Sequence, residues 1–255
     1  MVQPIVLYDL KCKVPEGLEY AWSPNGWRTR LALNYKNLPY TTKWVGYADV
    51  EATVKKLGVA PHAPGSFLDL KYTVPAIYDP NARHAVMDSH QINRYLDEQY
   101  PETPQVFPEG TRALQAAFCE TNQRILGAMF PAILDEVFDK CGDKDKEYFR
   151  ESREAYFGAK LETVAPKGKA FDAKVEELER ILREIGDWID ANGHGAVFIG
   201  GEAPVHADFD TVAQFIFLIK TVPEDHAMRR MFDRTDGGRW PRYLQAFSKW
   251  TERST

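Results

Sequence analysis

WSPNGWRTRLALNYK, residues 22–36, opens with a serine directly before a proline and continues with Trp27, Leu31 and Tyr35 at helical spacing, Ala32 beside them. Serine at the N-cap with proline at the first helical position is a common helix start. The same place sets a hydroxyl beside free backbone N–H groups, where an anion or a thiolate is stabilised. Upstream, PIVLYDL at 4–10 is apolar and β-branched enough for an inner strand, and KCKVPEGLEYAW carries the proline and glycine of a loop. Strand, loop and helix therefore converge on Ser23.

The pattern continues downstream. The helix is expected to end near Asn37, LPYTTKWVGY reads as a second strand, and 50–57 as a short helix before a proline- and glycine-rich loop at 58–66. Short apolar pieces at 74–78 and 85–87, separated by the turn former DPNARH, make a hairpin, and DSHQINRYLDEQY reads as a capped helix. The order to Tyr100 is β, α, β, α, β, β, α, which packs economically as a four-stranded mixed sheet with helices. Residues 1–101 are expected to form this α/β domain and 102–110, rich in proline, a linker. Residues 111–255 are expected to be wholly helical, with helices at 111–128, 131–141, 145–162, 171–191, 206–221, 225–234 and 239–250. Val175, Leu178, Ile181, Leu182, Ile185, Trp188 and Ile189 give 171–191 one broad apolar face, whereas DTVAQFIFLIK has few polar breaks and belongs at the centre of a bundle.

At 255 residues and 44% hydrophobic, the chain can bury two modest cores. A formal net charge of -5, from 32 basic and 37 acidic residues, gives no general attraction to phosphate backbones, so nucleic-acid binding is not expected. There is no secretory leader pattern and no apolar run near a bilayer span, so a soluble cytoplasmic protein with no membrane partner is expected. Cys12, Cys119 and Cys141 are widely spaced, lack a Cys-x-x-Cys pair and read as free thiols.

Each candidate for chemistry has a structural alternative. Ser23 could simply cap its helix, or donate to a ligand sulfur; with no Gly-x-Ser-x-Gly turn around it, it is a better donor than nucleophile. Asn25 could replace it as the cap or present its amide on the same side. Val74-Pro75 could be an ordinary strand opening, or a cis bond that turns the Val74 backbone toward an extended peptide. Asp88-Ser89 could cap, with Gln91 completing a reciprocal box, or hold a carboxylate at the positive helix end.

Together with GEAPVHADFDTVAQF, these residues resemble the soluble glutathione transferases, and SPNGWRTRLALNYKNLPY and DSHQINRYLDEQYPET are similar to a serine-type branch. That branch contains the fungal-specific class A enzymes and the bacterial glutathione-dependent β-etherases. The resemblance implies a thioredoxin-like N-terminal domain, an all-α C-terminal domain, and a homodimer using glutathione as cosubstrate with no metal. It implies that Ser23 donates to the glutathione sulfur with Asn25 as a second polar contact, and that Val74 pairs with the cysteinyl part beside a cis Pro75. Asp88 and Ser89 would hold the γ-glutamyl end and His62 the glycyl carboxylate, with Lys56 and Lys71 as rivals. The implied activity is conjugation of hydrophobic aromatic electrophiles in detoxification, with β-aryl ether cleavage as one form. The alternative is a ligandin that stores aromatic molecules such as wood-derived polyphenols. Tyr20, Trp22, Phe118, Asn122, Met129 and Phe130, with Ile125, are the expected acceptor wall. The family commonly has serine or threonine capping the core helix, where this chain has Val205, so only Asp208 reaching back to the Val205 amide is expected to survive. His206, Asp208 and Asp210 alternate at a helix start and point in different directions, so no metal is expected.

Overall fold

The computed structural model describes residues 2–13, 21–65 and 69–252; Tyr20 lies outside them. β1 (Ile5–Leu10), β2 (Tyr40–Val45), β3 (Ala76–Asp79) and β4 (His84–Met87) form one sheet in the order β2-β1-β3-β4. β1 pairs parallel with β2, Leu7 facing Thr42, and antiparallel with β3, Leu7 facing Ile77. β3 and β4 pair antiparallel as a hairpin. Buried on both faces, β1 is the inner strand its apolar run predicts.

Helix α1 (Pro24–Tyr35) joins β1 to β2, α2 (Val50–Lys55) follows a short 3-10 turn, and α3 (Ser89–Gln99) closes the N-terminal α/β unit. Among the described residues the named elements after it are all helices: α4 (Arg112–Ala132), α5 (Leu134–Asp139), α6 (Lys146–Phe157), α7 (Leu161–Val164), α8 (Lys169–Asp190), α9 (His206–Thr221), α10 (Ala227–Arg234), α11 (Arg239–Gln245) and α12 (Ser248–Thr251). This is a thioredoxin-like mixed α/β domain followed by an all-helical one. Among the described residues, no helix is long and apolar enough to cross a membrane.

Some boundaries differ from the sequence expectation. α4 runs past residue 128 and carries Pro131 inside its last turn, so the break falls at Ile133, whose φ of −121° leaves the helical region. The expected helix at 145–162 divides at Gly158, whose left-handed φ of 64° ends α6. Trp188 stays 37% exposed although it shares the apolar face of α8, and its ring meets Phe118 edge-on with centroids 5.6 Å apart.

α9 is buried along nearly its whole length and packs against both α1 and α4, so one apolar helix ties the two halves together. Valine cannot accept at its N-cap, and Asp208 compensates by accepting from the N–H groups of Val205 (3.0 Å), Ile199 (2.6 Å) and Gly200 (3.0 Å) and from the Tyr243 hydroxyl (2.6 Å). Asp97 fastens the segment between the halves, accepting from Lys36 Nζ (2.7 Å) and from the N–H groups of Val106 and Phe107.

Candidate functional site

The end of β1 and the start of α1 place Ser23. Trp27 Nε1 donates to the Ala21 carbonyl at 3.0 Å, and Gly26 lets the first turn of α1 approach the buried Asp9 carboxylate. Ser23 is the N-cap residue, with extended backbone (φ −61°, ψ 129°), and its carbonyl accepts from Trp27 N at 3.0 Å. Its hydroxyl makes no capping hydrogen bond. The residue is buried, yet it lines a cleft, and its hydroxyl is not spent on the helix end.

Asn25, in the first turn, also lines the cleft, and its side-chain carbonyl accepts from Arg28 Nη1 at 2.7 Å. Arg28 Nε in turn lies 2.5 Å from Asp210 Oδ1 on α9. The Val74-Pro75 bond is cis, and both residues face the same hollow as Asn25. Asp88 is the N-cap of α3: its Oδ1 accepts from the N–H groups of His90 and Gln91, each at 3.0 Å. The reciprocal half of a capping box is missing, because the Asp88 N–H donates to the Pro75 carbonyl instead. Asp88 holds φ 79° and ψ 126°, a region that side chains rarely enter and that concentrates at binding sites. Ser89 follows as the first residue of α3, buried and open to the hollow.

These residues bound two adjoining hollows. One, of about 880 Å³ counting its open mouth, is the more polar of the two and is lined by Asn25, Arg28, His62, Thr73, Val74, Pro75, Asp88, Ser89, Gln123 and Leu126. The other, of about 850 Å³ on the same measure, is mainly apolar, with Ser23 in its wall beside Trp22, Tyr47, Tyr72, Phe130, Tyr148 and Phe217. Asn25, Thr73, Val74 and Leu126 belong to both. A polar hollow that opens onto an aromatic one suits a pair of unlike ligands held side by side.

His62 stands in the polar hollow with Nε2 2.9 Å from Thr73 Oγ1; Lys56 and Lys71 line neither hollow. The expected acceptor wall fares less evenly. Trp22 and Phe130 line the apolar hollow, and the Trp22 ring packs on Phe217 at 5.7 Å. Asn122, Ile125 and Met129 do not line it: they are buried on the core side of α4, where Asn122 Nδ2 donates to Asp210 and Thr211. Phe118 lines neither hollow and packs half-buried against Trp188. The face of α4 toward the cleft is instead Gln123, Leu126 and Phe130, one residue round from the core stripe. Arg28, Tyr47, Tyr72, Tyr148, Arg153 and Phe217 are further lining residues absent from the sequence expectation.

His206, Asp208 and Asp210 are each committed elsewhere. His206 bonds through its two ring nitrogens to His90 (3.2 Å) and Asn93 (3.0 Å), and burial pulls its pKa well below the ordinary range, which keeps it neutral. Asp208 ties the helix start and Asp210 pairs with Arg28. Among the described residues no group of three or more His, Cys, Asp or Glu could hold a metal ion.

The sequence matches the family described as Glutathione S-transferase, N-terminal domain, over residues 22–99 and that described as Glutathione S-transferase, C-terminal domain, over residues 113–250. It is 33% identical over 217 residues to the glutathione S-transferase-like protein ustS of Aspergillus flavus, covering 81% of this chain and 77% of the relative. Among solved structures, glutathione transferase GSTFuA3 from Phanerochaete chrysosporium superposes with a TM-score of 0.89 at 34% identity, covering 98% of both chains. Glutathione S-transferase CsGST83044 of Ceriporiopsis subvermispora, solved in complex with glutathione, gives 0.88 at 34% identity, covering 97% of this chain and 99% of the other.

Proposed function

This chain belongs to the glutathione S-transferase family, and from that premise we propose that it binds glutathione in the polar hollow and transfers its sulfur to an aromatic electrophile in the apolar one. The γ-glutamyl end takes the start of α3, where the Asp88 carboxylate faces the ammonium and the Ser89 N–H and hydroxyl face the carboxylate. The peptide part runs past Val74, His62 meets the glycyl carboxylate, and the sulfur comes to Ser23.

The observation that carries the reading is that Ser23 lines the cleft at the start of α1 and its hydroxyl makes no capping bond to its own helix. A hydroxyl at the positive end of a twelve-residue helix can donate to a thiolate and favour it over the thiol. The sulfur then attacks the electrophilic carbon, a C–S bond forms, and the bond to the leaving group breaks with its electron pair. In β-aryl ether cleavage that group departs as an aryloxide from the carbon β to an aryl ketone and is protonated by solvent. The solved relative in complex with glutathione supports the choice of cosubstrate. The number of aromatic side chains around the apolar hollow supports a second capacity, storage of flat apolar ligands without turnover.

Conjugation of glutathione to haloaromatics, isothiocyanates and β-aryl ethers, followed with Ser23→Ala, tests the proposal. Ser23→Ala is expected to move the ultraviolet thiolate titration of bound glutathione to higher pH and to depress turnover most at neutral pH. It is expected to change unfolding stability by less than about 0.5 kcal/mol, against about 1 for loss of a working cap. Unchanged thiolate and pH–rate curves would remove Ser23 from the mechanism and leave Asn25 as the next residue to examine.

A further inference from the structure

Three buried cations on or just past α1 have buried carboxylate partners: Arg28 with Asp210, Arg30 with Asp9 and Lys36 with Asp97. Arg153, on α6, is 8% exposed and has none among the described residues. Its guanidinium carbon lies 4.3 Å from the centroid of the Phe149 ring and 5.1 Å from that of Tyr47. Nη1 donates to the Ser152 hydroxyl at 2.8 Å, and Nε is buried without an acceptor. Asp145, the N-cap residue of the same helix, accepts through Oδ1 from the Ala48 N–H at 3.1 Å. Ring faces attract the guanidinium through its π face, but they supply no acceptor to the N–H groups that lie in its plane. A buried charge left in that condition calls for a counter-charge.

Arg153 lines the apolar hollow, so the missing counter-charge has room to arrive with a ligand. We propose that Arg153 is the specificity residue of this hollow and that the acceptors it selects are aromatic carboxylates. The inference rests on the apolar hollow being the acceptor side. The guanidinium fork matches a carboxylate with two parallel hydrogen bonds, and the aromatic wall takes the ring to which that carboxylate is attached. An ordinary phenol, with a pKa near 10, is neutral at pH 7 and cannot serve as the standing counter-ion.

The test is equilibrium binding of trans-cinnamate and of trans-cinnamamide, its neutral counterpart of the same shape, to wild type, Arg153→Lys and Arg153→Met. Wild type is expected to bind the acid about tenfold to a hundredfold more tightly than the amide. Arg153→Met is expected to lose that preference while holding its amide affinity within about threefold, and Arg153→Lys to keep part of it, since lysine retains charge but not the fork. Equal affinity of wild type for acid and amide overturns the proposal, as does a preference that survives in Arg153→Met. If the methionine variant does not fold, the wild-type comparison and the lysine variant still decide. Glutathione affinity and conjugation rates on the same proteins report separately on the parent reading, because the acid-to-amide ratio needs neither glutathione nor turnover.

Discussion

Arg28 Nε stands 2.5 Å from Asp210 Oδ1, so the helix that carries Ser23 is fastened to the core helix of the second domain by an ion pair with both side chains largely buried. The same guanidinium holds the Asn25 carbonyl through Nη1, and Asn122 donates to the other Asp210 oxygen. Removing one partner leaves an uncompensated buried charge, so Asp210→Leu is expected to cost about 3–5 kcal/mol and Arg28→Met a similar amount. The double variant is expected to recover most of the loss, because neither charge remains. Urea unfolding of the four proteins gives the coupling, and strictly additive losses would show that the pair does not act as a unit. Arg28→Met is further expected to weaken glutathione binding by freeing Asn25.

Gly26 offers a sharper contest of magnitudes. Alanine in place of glycine inside a helix is worth roughly 1 kcal/mol on propensity alone. Here the added Cβ would fall 2.1 Å from Asp9 Oδ1, and Asp9 cannot swing aside, since Arg30 pairs with it at 3.0 Å and the Leu10 N–H donates to it at 2.7 Å. The clash outweighs the propensity, and Gly26→Ala is expected to destabilise by about 3 kcal/mol or more. Because the first turn must shift, the variant is also expected to lose thiolate formation at Ser23. A gain in melting temperature would show that the turn relaxes freely.

The order of strands and helices is legible in the sequence because each element keeps its own hydrophobic period, and the capped helix at Ser89 announces itself through Asp88. What the sequence conceals is rotation. Asn122, Ile125 and Met129 form one stripe of α4 and Gln123, Leu126 and Phe130 the next, about 100° round the axis, and both contain apolar residues. Choosing the stripe that meets the cleft requires knowing where α1 lies. The sequence pattern likewise gives no sign that Arg28, Arg30 and Arg153 are buried, because their burial depends on partners far off in the chain: Asp210 for Arg28, Asp9 for Arg30 and the Tyr47 ring for Arg153.

Asp208 gives the fold a pH dependence of defined sign. Burial, outweighing the bonds from Tyr243, Val205, Ile199 and Gly200, raises its pKa from 3.8 to about 6. The folded protein therefore binds more protons than the unfolded chain between those values, and stability falls as pH rises through the window, then levels off. The loss is about 3 kcal/mol in total. Asp208→Asn removes this slope and costs about 3 kcal/mol at neutral pH, because its amide nitrogen must face N–H or O–H donors. Unfolding free energies of both proteins from pH 4 to 8 check the sign; a wild-type curve that climbs relative to Asp208→Asn between pH 4 and 6 would contradict it.

Ser23→Cys separates conjugation from thiol exchange. Cys12 and Cys141 are buried and Cys119 is half-buried; burial pushes the Cys141 thiol up to about 12 and that of Cys119 well above its ordinary range. High pKa values keep those two sulfurs protonated and slow as nucleophiles. Wild type is therefore expected to reduce glutathione mixed disulfides poorly. A cysteine at position 23 would sit at the N-terminus of α1 in the wall of the apolar hollow, next to Asn25, which both hollows share, and there the helix end stabilises a thiolate. That sulfur attacks the glutathione sulfur of the mixed disulfide and expels the other sulfur as a thiolate; a free glutathione thiolate then opens the enzyme–glutathione disulfide, leaving oxidised glutathione, so one free glutathione is consumed per disulfide reduced. Ser23→Cys is expected to gain reductase activity at least about tenfold over wild type and to lose conjugation, since its thiolate repels the glutathione thiolate instead of donating to it. The coupled reductase assay and the mass of the trapped adduct measure both effects. Efficient reduction by wild type that disappears in Cys12→Ser would place the reactive sulfur in the loop before α1 and displace Ser23 from the centre of the site.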